Sequence, residues 1–416
     1  MIYHLVEYLR QFYDIPAVAM LQSLSFRTAM GIIFALIIGM IIGKRIIRAL
    51  RRKQIGEDIR ELGLDGQAQK KGTPTMGGLI ILASILVPIL LFGNLTNIYV
   101  ILMIVSTVWL GLIGFLDDYI KVFRGRKSGL SGKFKIIGQV GLGIIIGTAM
   151  CLSPDIVVRD KATAQTAASE ITHVVDEYGN ERSVYLSSPE KTTKTTIPFV
   201  KDNEFDYHWL VPGDSRASDI ITWLLYVVCA ILIITFVSNC ANLTDGLDGL
   251  CAGVSAGVVA VLGILAYLGG HVIYADYLNI MYIPMSQELV VFAGAFMGAL
   301  IGFIWYNCFP AQVFMGDTGS LAIGGMIAVF ALLIRKELLL PLLCGVFIVE
   351  GFSVVIQVTY FKYTKKKYGE GRRVFLMSPL HHHFQKKGYP ETKIVVRFWI
   401  VQLLLAVMTL VTLKMR

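Results

Sequence analysis

Charge is what this chain lacks. Of its 416 residues only 16% are charged, against 55% hydrophobic, and the mean hydropathy is +0.65. A soluble domain carries about a quarter charged residues, so the deficit excludes an ordinary soluble globule and leaves an integral membrane protein. Cysteine is sparse as well. The six (Cys151, Cys229, Cys240, Cys251, Cys308, Cys344) stand singly in or beside apolar segments. Without a CxxC pair or metal-type spacing they read as packing residues. The N-terminus has no cleavable-signal pattern, and no internal repeat or inverted half-and-half symmetry of the transporter kind is visible. The loops 93–97 and 269–288 hold no lysine or arginine at all, an absence that sets direction below.

What is present is a series of long apolar runs. A helix needs roughly 20 apolar residues to cross about 30 Å of hydrocarbon. Ten segments qualify as candidates: 24–43, 75–93, 98–116, 135–152, 219–238, 249–268, 289–306, 320–334, 338–360 and 394–413. The eighth is short and could begin near Phe314. The expectation is an all-α integral membrane protein, one polytopic domain over 1–416. The net charge of +9 does not point to nucleic acid, because the segments 44–73, 117–135 and 362–393 hold 9, 6 and 9 of the Lys and Arg residues. Ten crossings put those three segments on one side, which the positive-inside rule makes cytoplasmic, and put both termini outside.

Residues 153–218 break the pattern: they are polar, and the crossing count makes them an extracytoplasmic insertion between the fourth and fifth spans. Within them Ile171–Tyr178 and Glu181–Leu186 flank Gly179-Asn180, which suits a hairpin; a loosely ordered loop is an equally good reading. In 1–16, His4, Glu7, Gln11 and Asp14 form a polar stripe against Leu5, Leu9 and Phe12, as in a short interfacial helix.

Aspartates gather where the apolar runs end. Asp117-Asp118 closes the third span, Asp245 and Asp248 follow the fifth, and Asp317 opens the eighth, all on the basic side. Carboxylates at the edge of hydrocarbon are costly and usually functional. Two adjacent carboxylates repel unless a cation or proton intervenes, and oxygen-only ligands favour magnesium. Lys121 follows one helical turn on, with Arg124, Arg126, Lys127 and Lys133 extending the positive surface; the bland alternative is a solvated helix end.

In Asn242-Leu243-Thr244-Asp245-Gly246-Leu247-Asp248-Gly249, the polar residues Asn242, Asp245 and Asp248 share one face if the turn is helical, and the glycines permit close approach of a ligand. With no basic residue, the segment suits a base or sugar, or metal support, better than phosphate. In Phe314-Met315-Gly316-Asp317-Thr318-Gly319-Ser320 an N-cap role for Asp317 is a fully adequate structural alternative. Ser378-Pro379-Leu380-His381-His382-His383-Phe384 lacks the i, i+4 spacing of a helical metal site, so its imidazoles suit hydrogen bonds to phosphate or sugar. Lys70-Lys71-Gly72-Thr73-Pro74-Thr75-Met76-Gly77-Gly78 offers cations and a helix N-terminus to an anion.

Taken together, KKGTPTMGG, FLDDYIK, NLTDGLDG, FMGDTGS and SPLHHHF, in that order, resemble the polyprenyl-phosphate N-acetylhexosamine-1-phosphate transferases. The histidine run points to their phospho-N-acetylmuramoyl-pentapeptide branch. The likeness covers nearly all the chain outside 153–218, and that insertion departs from the compact family pattern. The resemblance implies that undecaprenyl phosphate and UDP-N-acetylmuramoyl-pentapeptide give lipid I and UMP, with Mg2+, in the bacterial inner membrane for peptidoglycan synthesis, and that the protein is a homodimer. It further implies that Asp317 and Asp118 bind metal, with Asp117 beside them in the catalytic centre. By the same resemblance Lys70, Thr75, Asn242, Asp245, Gly246, Leu247, Asp248, Phe314 and Gln357 line the nucleotide site, Phe314 stacking on uracil. Lys121, Lys133, His381, His382 and His383 approach the phosphates and the muramoyl group. Two other readings stand beside this one: a relative using UDP-N-acetylglucosamine, and an anion transporter. The transporter would place charge near the bilayer midplane, where the helices are almost free of ionisable residues; Glu350 is the main exception, and for it a buried hydrogen-bonded carboxylate is the default.

Overall fold

The structure is a computed structural model. It describes residues 1–416 other than 11, 13–19, 53–69, 71, 125–128, 161–169, 176–180, 201–203 and 415–416. Lys71, Arg126, Lys127, the Gly179-Asn180 turn, and Gln11 and Asp14 of the N-terminal stripe therefore lie outside the described residues.

Each of the ten apolar runs forms a helix. In chain order, after a short α1 (Ile2–Arg10), these are α2 (Leu24–Arg52), α3 (Gly78–Phe92), α4 (Ile98–Phe123), α5 (Gly132–Leu152), α6 (Arg216–Thr244) and α7 (Leu250–Gly270). A short α8 (Val272–Leu278) precedes α9 (Glu288–Asn307) and α10 (Asp317–Leu333). The chain ends with α11 (Gly345–Tyr368), a short α12 (Leu380–Lys386) and α13 (Glu391–Thr412). Eight of these helices are long and apolar enough to cross a membrane; α3 and α10, with 15 and 17 residues, are shorter. The protein is thus a multi-pass membrane protein. Outward faces carry the expected apolar surface: on α13, Ile400, Leu403 and Leu404 are 60%, 65% and 59% exposed.

The ninth run starts later than its hydropathy suggests. Residues 337–343 form two separate helical turns around Pro341, and the long helix begins only at Gly345. It then extends past the apolar stretch to end on Lys365, Lys366 and Lys367, cations that suit a helix C-terminus. The eighth helix starts at Asp317, between the two alternatives for that run.

α10 is the hub. Every residue from Thr318 to Leu333 is buried, and α3, α4, α6 and α7 pack around it. Its length of roughly 26 Å, at 1.5 Å per residue, is tolerable because protein rather than lipid surrounds it. The close packing rests on small residues at its N-terminal end. A Cβ on Gly78 of α3 would fall 2.1 Å from the Gly319 nitrogen, and one on Gly114 of α4 would fall 2.2 Å from the Asp317 carbonyl oxygen.

Among the described residues the strands are confined to the insertion. β1 (Glu170–Val175) pairs antiparallel with β2 (Glu181–Leu186), Ile171 opposite Tyr185, so the hairpin alternative holds for the paired residues. β3 (Lys194–Thr196) pairs with β4 (Glu204–Asp206). The second pair closes the far end of α10: Thr196 N–H and Thr195 Oγ1 donate to the Arg335 carbonyl at 3.0 and 3.1 Å, and Lys336 Nζ reaches Thr196 Oγ1. The insertion therefore sits a full helix length from Asp317.

Candidate active site

Asp117 and Asp118 occupy the last turns of α4, and Asp317 is the first residue of α10. One carboxylate oxygen from each lies within 4.8 Å of the others, a group that could hold a metal ion. The tight crossing at Gly114 is what brings the two helix ends together, since no side chain stands between them.

The two members of the aspartate pair do different work. Asp118 Oδ1 accepts the N–H of Asp317 at 3.1 Å, and its Oδ2 accepts the N–H and the hydroxyl of Thr318 at 2.9 and 2.6 Å. The two N–H groups are orphan donors of a helix start, so Asp118 caps α10 from a neighbouring helix and places anionic charge at its positive end. The residue in the N-cap position is Gly316, at φ +72° and with no side chain to offer. A Cβ there would come within 2.6 Å of Asp118 Oδ2. The purely structural alternative for Asp317 thus passes to Asp118, and the Asp317 carboxylate is left to face the cluster.

Around that carboxylate stand donors from three further segments. Asn242 Nδ2, at the end of α6, donates to Asp317 Oδ1 at 3.0 Å and to Ser320 Oγ at 2.9 Å. Lys121 Nζ lies 2.6 Å from Asp117 Oδ2 and 3.2 Å from Asp317 Oδ2. Lys135 Nζ bridges Asp117 Oδ1, at 3.0 Å, and Asp317 Oδ2. Leu130 N–H adds 2.7 Å to Asp117 Oδ1, possible because its neighbour Gly129 is at φ +61° and has no Cβ to strike Asp117. Lys133, by contrast, is exposed. The cation that α5 supplies is Lys135, two residues further along.

A second polar knot joins three distant segments. Lys70 Nζ pairs with Asp248 Oδ1 at 2.7 Å and with Glu391 Oε1 at 2.6 Å. Glu391 Oε1 also accepts the N–H of Asp248, and Asp248 Oδ2 accepts that of Ala311. Beside it the backbone of Pro74–Gly78, leading into α3, hydrogen-bonds to the approach to α10. Phe314 N–H donates to the Pro74 carbonyl, Gly77 N–H to that of Phe314 and Gly78 N–H to that of Met315, each at 2.8 Å. Thr75 is buried there, and the half-buried Phe314 ring lies 6.0 Å from Lys70 Nζ. Asp245 is half-buried at the end of α6, Gly246 exposed and Leu247 buried.

The three histidines point three ways, as consecutive residues on a short helix must. His381 is fully buried; its N–H and Nδ1 meet Glu350 oxygens at 3.1 Å each. His382 Nδ1 meets Gln385 Oε1 at 2.7 Å, and burial, then neighbouring His381, lowers its pKa to about 4. His383 Nδ1 accepts the N–H of Leu376. Gln357 is tied to the backbone of the same loop, its Oε1 accepting from Val374 and Phe375 at 3.1 and 3.0 Å and its Nε2 donating to the Phe375 carbonyl. It anchors the loop that carries the histidines.

Three of these residues, Lys135, Glu391 and Glu350, were not singled out as site residues by motif reading. Glu391 had a usable signal: an acidic residue directly after Pro390, opening a helix in an otherwise basic segment.

Comparison with known proteins places the chain in a family. The glycosyl transferase family 4 model matches residues 100–335, and a phospho-N-acetylmuramoyl-pentapeptide-transferase signature matches 70–82. The chain is 55% identical over 417 residues to the phospho-N-acetylmuramoyl-pentapeptide-transferase of Flavobacterium psychrophilum, all of both chains being covered. It is 55% identical over 432 residues to that of Parabacteroides distasonis and 54% over 430 residues to one from Porphyromonas gingivalis, again over the whole of each. The match to the Flavobacterium protein runs through residues 153–218, so the insertion is not peculiar to this chain. By family model, signature and full-length identity, the chain belongs to the phospho-N-acetylmuramoyl-pentapeptide-transferases of glycosyl transferase family 4.

Proposed function

We propose that this protein transfers phospho-N-acetylmuramoyl-pentapeptide from its UDP carrier to undecaprenyl phosphate, giving lipid I and UMP. The observation that carries the reading is the meeting of Asp117, Asp118 and Asp317 with Lys121 and Lys135 at the ends of apolar helices. A lipid phosphate held in a bilayer and a soluble nucleotide sugar can meet only at such an edge. The basic segments at that edge fit a site on the cytoplasmic face of the inner membrane, with both termini outside. The homodimer rests on family resemblance.

In the reaction a lipid-phosphate oxygen attacks the sugar-bearing phosphorus and the bond to UMP breaks, so one phosphoanhydride replaces another. A phosphate monoester has its second pKa near 6 and is mostly dianionic at neutral pH, so little proton removal is needed. Asp117, braced by Leu130 N–H and both lysines, positions groups rather than serving chiefly as a base. An all-oxygen donor set suits Mg2+. Asp317 would be its principal ligand, with Asp117 beside it, while Asp118 already accepts three hydrogen bonds at the start of α10. Bound there, Mg2+ would neutralise charge on the diphosphate. Lys121 and Lys135 stand where they can pair with phosphate oxygens. On the nucleotide side, Lys70, Thr75, Asn242, Asp245, Gly246, Leu247, Asp248, Phe314 and Gln357 would form the uridine pocket, with the histidines shaping the muramoyl side.

The test is turnover of detergent-solubilised protein with undecaprenyl phosphate and either UDP-N-acetylmuramoyl-pentapeptide or UDP-N-acetylglucosamine. UMP release and a labelled lipid with the first donor only are expected. Activity with the second donor instead would overturn the substrate assignment.

A further inference from the structure

Glu350 is a carboxylate in the interior of α11 with no exposed surface. A buried carboxylate is costly unless hydrogen bonds compensate it, and among the described residues its partners all belong to a single residue. Its Oε1 accepts the His381 N–H at 3.1 Å, and its Oε2 faces His381 Nδ1 at 3.1 Å. With the carboxylate ionised it only accepts, which puts the ring proton on Nδ1. The backbone contact also satisfies an orphan donor in the first turn of α12. The two contacts together fix the orientation of the ring.

The other ring nitrogen is then the free one. His381 Nε2 is buried and has no hydrogen-bond partner among the described residues. It is directed onto Gly246, where a Cβ would lie 2.2 Å from it. Gly246 is exposed, in the turn between Asp245 and Asp248. A buried polar atom without a partner costs free energy, and this one lies beside the turn to which the nucleotide side of the site has been assigned.

The geometry points to Glu350 as a positioning residue: by holding the proton on Nδ1, it presents His381 Nε2 at the Gly246 turn as the nitrogen that hydrogen-bonds the nucleotide sugar. The inference rests on the functional reading above. Glu350 touches no substrate and acts only through His381. Gly246 is part of the device, since any side chain there would displace the imidazole.

Steady-state kinetics of Glu350→Gln, His381→Gln and the double variant, with each substrate varied in turn, test this. A glutamine at 350 keeps the size of the side chain but can turn an N–H toward Nδ1, which moves the ring proton to Nε2. One neutral hydrogen bond corresponds to about tenfold in affinity. Glu350→Gln is therefore expected to raise KM for the UDP substrate about tenfold and leave KM for undecaprenyl phosphate unchanged. In the His381→Gln background it should add less than twofold, because residues acting as one unit are not additive. An unchanged KM with a lowered melting temperature would make Glu350 a packing residue and overturn the inference, as would losses that multiply in the double variant. Wild type that turns over only UDP-N-acetylglucosamine would overturn the substrate reading instead, and the same cycle read with that donor would still decide the role of Glu350.

Discussion

Gly114→Ala isolates what the helix crossing contributes to the site. The ideal Cβ on Gly114 lies 2.2 Å from the Asp317 carbonyl oxygen and 2.6 Å from both the Asp317 carbonyl carbon and Thr318 Cα. All three are backbone atoms, so no rotamer relieves the contact. Real Cβ atoms essentially never come within 3.0 Å of such neighbours, so α4 and the start of α10 must part by roughly 0.8 Å, as in other over-packed cores. Asp118 is one turn beyond Gly114 on the same helix. Its bonds of 3.1, 2.9 and 2.6 Å to the start of α10 would mostly stretch past hydrogen-bond range. Over-packing costs about 1–3 kcal/mol and loss of a cap about 1 kcal/mol, partly offset by about 1 kcal/mol of helix propensity gained over glycine. A misplacement of about 1 Å costs on the order of 10²-fold in rate. The expected variant folds with a lower melting temperature and forms labelled lipid product roughly a hundredfold more slowly. Gly132→Ala is the control, since nothing lies within 4 Å of its Cβ position, and it should stay within twofold of wild type. A Gly114→Ala protein with near-normal rate would refute the claim that this crossing sets the carboxylate geometry.

Asp317→Asn should abolish turnover, to below about 1% of wild type by the scale of lost electrostatic stabilisation, with an unchanged melting temperature; near-normal rates in saturating Mg2+ would sink the metal assignment. Lys135→Ala should cost at least about tenfold, since it removes a charge-assisted bond to two carboxylates, whereas exposed Lys133→Ala should change initial rates less than twofold. For His382, the folded pKa near 4 lies below the ordinary 6.5, so the unfolded chain binds the extra proton first. Its contribution to stability is therefore complete above about pH 6.5 and lost as pH falls toward 4. Melting temperatures of wild type and His382→Gln across that window should converge at the acid end, and parallel curves would contradict the buried neutral imidazole.

The helices were largely legible because hydropathy and length report on lipid contact. The runs at 98–116 and 219–238 became α4 and α6, both extending beyond the apolar stretch into polar ends. Reading failed where a different force set the boundary. Pro341 and the buried cluster at Arg335-Lys336-Glu337 delay the ninth helix to Gly345, although the residues between are as apolar as the helix itself. The strands of the insertion depend on cross-strand pairing, of which the glycine-containing turn is only a local sign.

At the site, motif reading located the acidic residues but could not divide labour between them. Asp117 and Asp118 are adjacent in sequence and 100° apart around a helix, so one faces the lysines and the other the start of α10. That division follows from where α10 crosses, which no local pattern encodes. The same limit hides Lys135, two residues beyond Lys133. Both are basic and close to the first turn of α5, and only the side that faces α4 decides which ammonium reaches Asp117 and Asp317. Glu391 and Glu350 complete the argument. Each is a single acidic residue remote in sequence from the motif it meets, Glu391 joining Lys70 to the Asp248 N–H and Glu350 facing His381. A motif shows which chemistry gathers; the helix crossings determine which atom of it is free to act.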